Sequence, residues 1–234
     1  MFTIPSNILP ILFIGILAIL FGVKSLMYYK KLRSPLFGYF GWSTILFGLS
    51  SVFLALAYTL DPSSTALLKS LVTVSNILYI IALFVMYRII WYLGFKKSIS
   101  YLWMFIPVFI LSSISLILDL VNRIGANYYL SENIAYYSAS TISTYILAVL
   151  SLSIAVVGVL TIKEALEVNE KIQRTRIIVI GMMFLLSGLV VEYNFLFNNE
   201  ENIALNTLFA SMIVVITVGL LIFLVKYRTP DEHK

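Results

Sequence analysis

The stretch Tyr136–Ile162, YYSASTISTYILAVLSLSIAVVGVLTI, is largely apolar and contains no charged residue. A helix of about 20 apolar residues crosses the hydrocarbon core of a bilayer and satisfies its own backbone hydrogen bonds there. Six further stretches have comparable length and composition. We therefore predict an all-α membrane bundle of seven helices, at Asn7–Val23, Phe37–Leu60, Ser70–Tyr87, Ser98–Leu118, Tyr136–Ile162, Ile177–Phe197 and Asn202–Val225.

The whole chain has the composition of a membrane protein. Of its 234 residues, 61% are apolar and 12% are charged, and the mean hydropathy is +0.99, whereas soluble domains have about 25% charged residues. No linker separates the spans, so we predict one domain over residues 1–234, a multi-pass protein of the cell membrane in contact with the lipid bilayer. The net charge of +5 does not indicate nucleic-acid binding, because the basic residues lie in short loops rather than on one face.

The basic residues are distributed unevenly between the two sets of loops. Of 16 Lys and Arg residues, all but Lys69 and Arg123 fall on one side of the predicted spans. Because Lys and Arg are retained on the cytoplasmic side, we predict the N-terminus outside and the C-terminus inside. The predicted inner residues are Lys24, Lys30, Lys31, Arg33, Arg88, Lys96, Lys97, Lys163, Lys171, Arg174, Arg176, Lys226, Arg228 and Lys234.

A weak internal repeat relates two parts of the chain at an offset of 140 residues. It aligns Lys31 with Lys171, Gly48-Leu49 with Gly188-Leu189, and Tyr87-Arg88 with Tyr227-Arg228. Helices one to three would then match helices five to seven in a parallel 3+1+3 layout. That layout resembles the folds of sugar-efflux proteins and trimeric cation channels, and parallel repeats are known in transporters. Small residues such as Gly22 and Ser51 are predicted to allow close helix packing.

Several kinds of chemistry are excluded because their residues are absent. His233 is the only histidine and there is no cysteine, so a bis-histidine haem, a copper or zinc centre, an iron–sulfur cluster and Ser-His proteolysis lack ligands or a base. A retinal Schiff base needs a lysine inside the bundle, and Asn202–Val225 contains none. The sequence predicts no cofactor, no metal site and no enzymatic activity.

Polar residues in the outer half of the bundle form the predicted site. Glu192 is the only charged residue inside a predicted span, and such a residue costs about 3 kcal/mol on insertion scales and usually faces the bundle or water. We predict an outward-facing polar pocket around it. The predicted ligand-binding residues are Glu192, Asn199, Asp119, Asn122, Arg123, Asn76 and Asn206. The alternative is structural, since asparagines can join helices by hydrogen bonds and Asp119 can form a surface ion pair with Arg123.

Three classes of function remain open. The first, which we favour at this point, is a receptor-like sensory module that signals through a separate partner; its architecture resembles the seven-helix input regions that precede some microbial histidine kinases. The second is a small transporter or channel that uses Glu192 as a proton or cation site. The third is a structural subunit of a membrane complex.

Within the segment Lys163–Arg176, residues Lys163–Lys171 are predicted to continue helix five into the cytoplasm, because Glu167 and Lys171 form an acid-before-base pair at i,i+4. The segment is either a docking arm for a cytoplasmic protein partner or a solvated helix end. A homo-oligomer is also compatible with the sequence.

Overall fold

The computed structural model describes residues 8–59, 65–95, 98–121 and 141–197, together with single positions between 208 and 218. A short π-helical turn, Trp91–Phe95, follows directly on the third helix. Within the continuous ranges there are six α-helices: α1 Ile8–Leu32, α2 Pro35–Tyr58, α3 Thr65–Ile90, α4 Tyr101–Val121, α5 Thr141–Leu166 and α6 Lys171–Phe197.

These helices confirm the all-α class and overlap the first six predicted spans. Helices α1 to α5 are long and apolar enough to cross a membrane, and within the described residues of α6 the apolar stretch is Ile177–Leu189. The predicted span Asn202–Val225 lies almost entirely outside the described residues. The seventh helix and the orientation therefore stay predictions.

The outer surface of the bundle is apolar, as contact with lipid requires. Leu20 is 58% exposed and Trp103 is 74% exposed, which would be costly in water. The core lies where α3 meets α5, at the fully buried side chains of Leu83 and Val157. An apolar outside around an apolar inside is typical of a multi-pass membrane protein in its bilayer.

A tight turn joins α1 to α2. Arg33 has a positive φ of 51°, and its N–H donates to the carbonyl oxygen of Tyr29 at 2.8 Å. A left-handed residue directly after the last helical residue is a common way to end a helix. Pro35 then starts α2, because its fixed φ suits the first helical position. The two helices consequently fold back as an antiparallel hairpin.

Glycines let the backbones of α1 and α2 touch. A Cβ atom placed on Gly48 would lie 2.5 Å from the carbonyl oxygen of Gly15, and one placed on Gly22 would lie 2.7 Å from that of Gly41. Side chains cannot fit at these distances, so the hairpin needs glycine at both levels. The predicted role of Gly22 in close packing is confirmed.

Helices α5 and α6 form a second hairpin with the same kind of contact. A Cβ atom on Gly188 would lie 2.5 Å from the backbone nitrogen of Ala155, and one on Gly181 would lie 3.0 Å from that of Ile162. Adding 140 to each residue number of the first hairpin gives the second, as Gly15–Gly48 becomes Ala155–Gly188 and Gly22–Gly41 becomes Ile162–Gly181. The contacts that hold the two hairpins thus occupy equivalent positions under the offset seen in the sequence.

The connection between α5 and α6 differs from the sequence prediction for Lys163–Arg176. Helix α5 ends at Leu166 and α6 begins at Lys171, so the prediction that helix five continues through Lys171 is wrong. Asn169 stands in the middle of the connection, and asparagine favours turns over helix interiors because its side chain competes for backbone hydrogen bonds. The chain turns back here so that α6 can pack against α5.

Candidate functional site

A hydrogen bond between Tyr79 on α3 and Ser151 on α5 joins these two helices inside the bundle. Ser151 is fully buried, and its hydroxyl donates to the carbonyl oxygen of Leu147 at 2.6 Å. Because a serine hydroxyl has only one proton, the phenol of Tyr79 is the donor to the Ser151 oxygen. The contact is therefore a short chain of oriented hydroxyl groups inside the bundle.

Two further pairs of hydroxyl groups form hydrogen bonds between neighbouring helices. Ser75 on α3 donates to the carbonyl oxygen of Ser50 on α2 at 2.8 Å, and their Oγ atoms are 3.0 Å apart. Ser115 on α4 and Ser143 on α5 have their Oγ atoms 2.7 Å apart. Hydrogen bonds between membrane helices contribute about 0.6 kcal/mol each, so these pairs mainly fix the positions of the helices relative to one another.

Two buried hydroxyl groups lack a hydrogen-bond partner within the described part of the chain. They belong to Ser112 on α4 and Ser153 on α5, each 2% exposed. Other buried hydroxyls bond back to their own helix, as Thr161 does to the carbonyl oxygen of Val157 at 2.7 Å. An unpaired hydroxyl in apolar surroundings costs about 1–3 kcal/mol. A polar group brought to either serine would recover part of that cost.

Of the seven predicted ligand-binding residues, Asn76 alone has a described side chain. It is half-buried on α3, one helical turn before Tyr79 along the same face. Glu192 and Asp119 belong to α6 and α4, but their side chains lie outside the described residues. Four predicted site residues lie outside the described ranges altogether: Asn199, Asn122, Arg123 and Asn206.

Sequence reasoning missed the Tyr79–Ser151 pair. The available signal was the position of Tyr79 near the middle of the predicted span Ser70–Tyr87, because a phenol buried inside a bundle usually finds a hydrogen-bond partner. The identity of that partner depends on how α3 faces α5, which a single sequence does not encode as a local pattern.

A second polar cluster surrounds Arg88 near the far end of α3. The Cζ atom of its guanidinium lies 4.3 Å from the ring centroid of Tyr101, 4.4 Å from that of Trp91 and 5.9 Å from that of Tyr39. Its Nε–H donates to the Tyr39 hydroxyl at 3.5 Å. We call these four residues the Arg88 box. The sequence prediction treated Arg88 only as an inner cation, because Tyr39 and Tyr101 are distant from it along the chain.

Together the helices and these clusters define a multi-pass, all-α membrane protein. The chain matches no protein-family model, and neither a curated protein nor a solved structure matches it at a significant level. A function for this protein therefore has to rest on its own residues.

Proposed function

We propose that the chain is a small membrane transporter or channel for a proton or a small cation, with Glu192 as the ion-binding carboxylate. The observation that carries this proposal is the equivalence of the Gly15–Gly48 and Ala155–Gly188 contacts under the 140-residue offset. Parallel repeats are a recurrent plan in transporters, and their binding sites lie near the middle of the membrane where the repeats meet. Because of this equivalence, we favour transport over sensing as the function.

In this proposal the molecule has two three-helix units joined by α4. The first unit is α1 to α3, and the second is α5, α6 and the predicted span Asn202–Val225, with the N-terminus outside. Within each hairpin the backbones touch, whereas α3 and α5 meet through side chains such as Tyr79 and Ser151. Tight packing within units and a side-chain contact between them suits the rocking of one unit against the other.

The register of the second hairpin supports a specific position for Glu192. Gly188 packs against Ala155, and α5 and α6 run antiparallel, so a step of four residues along one helix matches a step of four back along the other. Glu192 comes four residues after Gly188, and Ser151 comes four residues before Ala155. The proposal accordingly sets Glu192 level with Ser151.

The first hairpin provides a described counterpart for this position. Val52 is the residue equivalent to Glu192 under the offset, and its Cγ2 atom lies 3.1 Å from where a Cβ atom of Gly15 would stand. Val52 therefore faces the neighbouring helix of its hairpin. The proposal requires the Glu192 side chain to face α5 in the same way.

A carboxylate at that level would complete a small set of oxygen-bearing groups. Ser151 and Tyr79 are already bonded to each other, and Asn76 lies one turn before Tyr79 on α3. Carboxylate, hydroxyl and amide oxygens are the groups that bind hard cations. A carboxylate buried in a span can also take up and release a proton, and either chemistry suits ion movement across a membrane.

Flux measurements in proteoliposomes test the proposal. Wild-type protein should accelerate the movement of H⁺, Na⁺ or K⁺ down an imposed gradient, and Glu192→Gln should slow it at least about tenfold, since the amide cannot ionise. Glu170→Gln is the matched control, because Glu170 is exposed in the α5–α6 connection and its loss should leave the flux unchanged. Wild-type liposomes no more permeable to these three ions than empty ones would refute the proposal.

The two other classes predict different results in the same preparation. A sensory module would give no flux and would bind a cytoplasmic partner, with Lys163–Arg176 as the nearest candidate contact. A structural subunit would give no flux and would copurify with its complex at a fixed ratio. Either outcome would replace transport as the function.

A further inference from the structure

We propose that the Arg88 box binds the phosphate group of an anionic phospholipid at the predicted inner face of the membrane. This proposal does not rest on transport, because it uses residues at the C-terminal end of α3, whereas Asn76 lies near the middle of that helix. Four elements build the box, since Arg88 belongs to α3, Tyr39 to α2, Trp91 to the π-helical turn and Tyr101 to α4.

Two of the rings lie close to the guanidinium, at an interplanar angle of 66° to each other. The centroids of Trp91 and Tyr101 are within 4.4 Å of Cζ, which is the range of cation–π attraction. The N–H groups of arginine point outward in the plane of the group and match the oxygen spacing of a phosphate. Among the described residues only the Tyr39 hydroxyl accepts a bond from Arg88, at 3.5 Å. Most of its donors therefore stay available for a ligand.

Hydrogen bonds to the backbone hold the rings of Trp91 and Tyr101 in place. The Nε1–H of Trp91 donates to the carbonyl oxygen of Ile99 at 2.6 Å, and the Tyr101 hydroxyl donates to that of Phe84 at 3.4 Å. Rings held in this way restrict the movement of the guanidinium that lies against them. Less conformational freedom then has to be lost when an anion binds.

The surroundings favour a lipid as the source of the phosphate. Next to Tyr101 on α4, Leu102 is 61% exposed and Trp103 is 74% exposed, so this side of the box borders the lipid-facing surface. Tryptophan and tyrosine concentrate at the level of the lipid headgroups. Inner leaflets contain anionic lipids that basic residues attract.

Native mass spectrometry of detergent-purified protein titrated with phosphatidylglycerol tests this site. Wild-type protein should bind one phosphatidylglycerol more tightly than phosphatidylcholine. Arg88→Gln should weaken that binding at least about tenfold, and Arg88→Lys less, because lysine keeps the charge but lacks the planar fork. Arg174→Gln is the control, since Arg174 is an exposed arginine at the start of α6, and it should bind as the wild type does.

A fluorescence measurement separates lipid binding from a purely structural role of Arg88. In a W42F/W103F background Trp91 is the only tryptophan, and both replaced residues are exposed. Brominated phosphatidylglycerol, diluted into phosphatidylcholine, should quench Trp91 more strongly than brominated phosphatidylcholine does. Adding R88Q to this background should remove that preference and adding R88K should reduce it, while both variants stay folded.

Three results would overturn the proposal. The first is equal binding of phosphatidylglycerol by the wild type and by Arg88→Gln. The second is an equal loss of binding in Arg174→Gln, which would indicate general surface charge. The third is loss of phosphatidylglycerol binding when inorganic phosphate is added at concentrations similar to those of the lipid, which would make a free phosphate the ligand.

Discussion

Gly48 packs against Gly15 so closely that a Cβ atom on Gly48 would stand 2.5 Å from the Gly15 carbonyl oxygen. The obstacle is backbone, which cannot rotate away as a side chain can. In a bilayer the lipid chains are as apolar as the helix surface, so association depends largely on such packing. The α1–α2 hairpin is therefore sensitive to a single methyl group at this position.

We predict that Gly48→Ala destabilises the protein by about 1–3 kcal/mol, the usual cost of overpacking. Gly38→Ala on the same helix is the matched control, because its Cβ atom would meet Tyr29 at an ordinary 3.4 Å. Thermal unfolding in detergent should show a lower midpoint for Gly48→Ala alone. Equal midpoints for the two variants would contradict the close contact.

Gly188→Ala should destabilise the protein by a similar amount, because its Cβ atom would stand 2.5 Å from the backbone nitrogen of Ala155. The two glycines lie in different hairpins, so the effects of Gly48→Ala and Gly188→Ala should add in the double variant. The same unfolding measurement checks both statements. A tolerated Gly188→Ala would mean that the two hairpins are not packed in equivalent ways, and would weaken the case for a repeat.

The hydrogen bond between Tyr79 and Ser151 should appear as a coupling energy. In a double-mutant cycle of Tyr79→Phe and Ser151→Ala, measured as free energies of unfolding, we expect a coupling energy of about 0.6 kcal/mol. That value is the mean for interhelical bonds in a membrane protein. The cycle removes the separate bond of Ser151 to Leu147 from the result, because that bond is lost in both arms. Tyr145→Phe, at a residue 57% exposed on α5, should show no coupling with Ser151→Ala.

The positions of the helices could be predicted from the sequence, but their contacts could not. Apolar length alone locates the spans, since a bilayer demands it. Which face of α3 meets α5 is not encoded in that way, because residues facing lipid and residues facing protein are equally apolar. Leu83 is fully buried and Ile81 is 42% exposed, yet both are ordinary membrane residues.

One cluster illustrates what that ambiguity hides. The Arg88 box brings together Arg88 and the rings of Tyr39, Trp91 and Tyr101 from different elements, so it exists only once the helices are packed.

The end of α5 was predicted wrongly for another reason. Acidic and basic residues four apart around Glu167 suggested a continuing helix, but packing of α6 against α5 requires the chain to turn there.

Site-directed labelling can test the predicted orientation cleanly because the chain contains no cysteine. Lys30→Cys, near the end of α1, and Asn169→Cys introduce a thiol at exposed positions on the predicted inner side, and Asn127→Cys introduces one in a loop predicted to be outside. A membrane-impermeant maleimide added to intact cells should label Asn127→Cys and should label the other two only after lysis. Labelling of Lys30→Cys in intact cells would reverse the topology.

Arg33 is a place where the chain can be made more stable. Its φ of 51° is a left-handed conformation that costs a residue with a Cβ atom roughly 1 kcal/mol and that glycine adopts freely. Arg33→Gly should therefore raise the unfolding midpoint, whereas Arg33→Ala removes the same charge but keeps the strain and should not. If both variants changed the midpoint equally, the effect would come from the lost charge, and the left-handed turn between α1 and α2 would be contradicted.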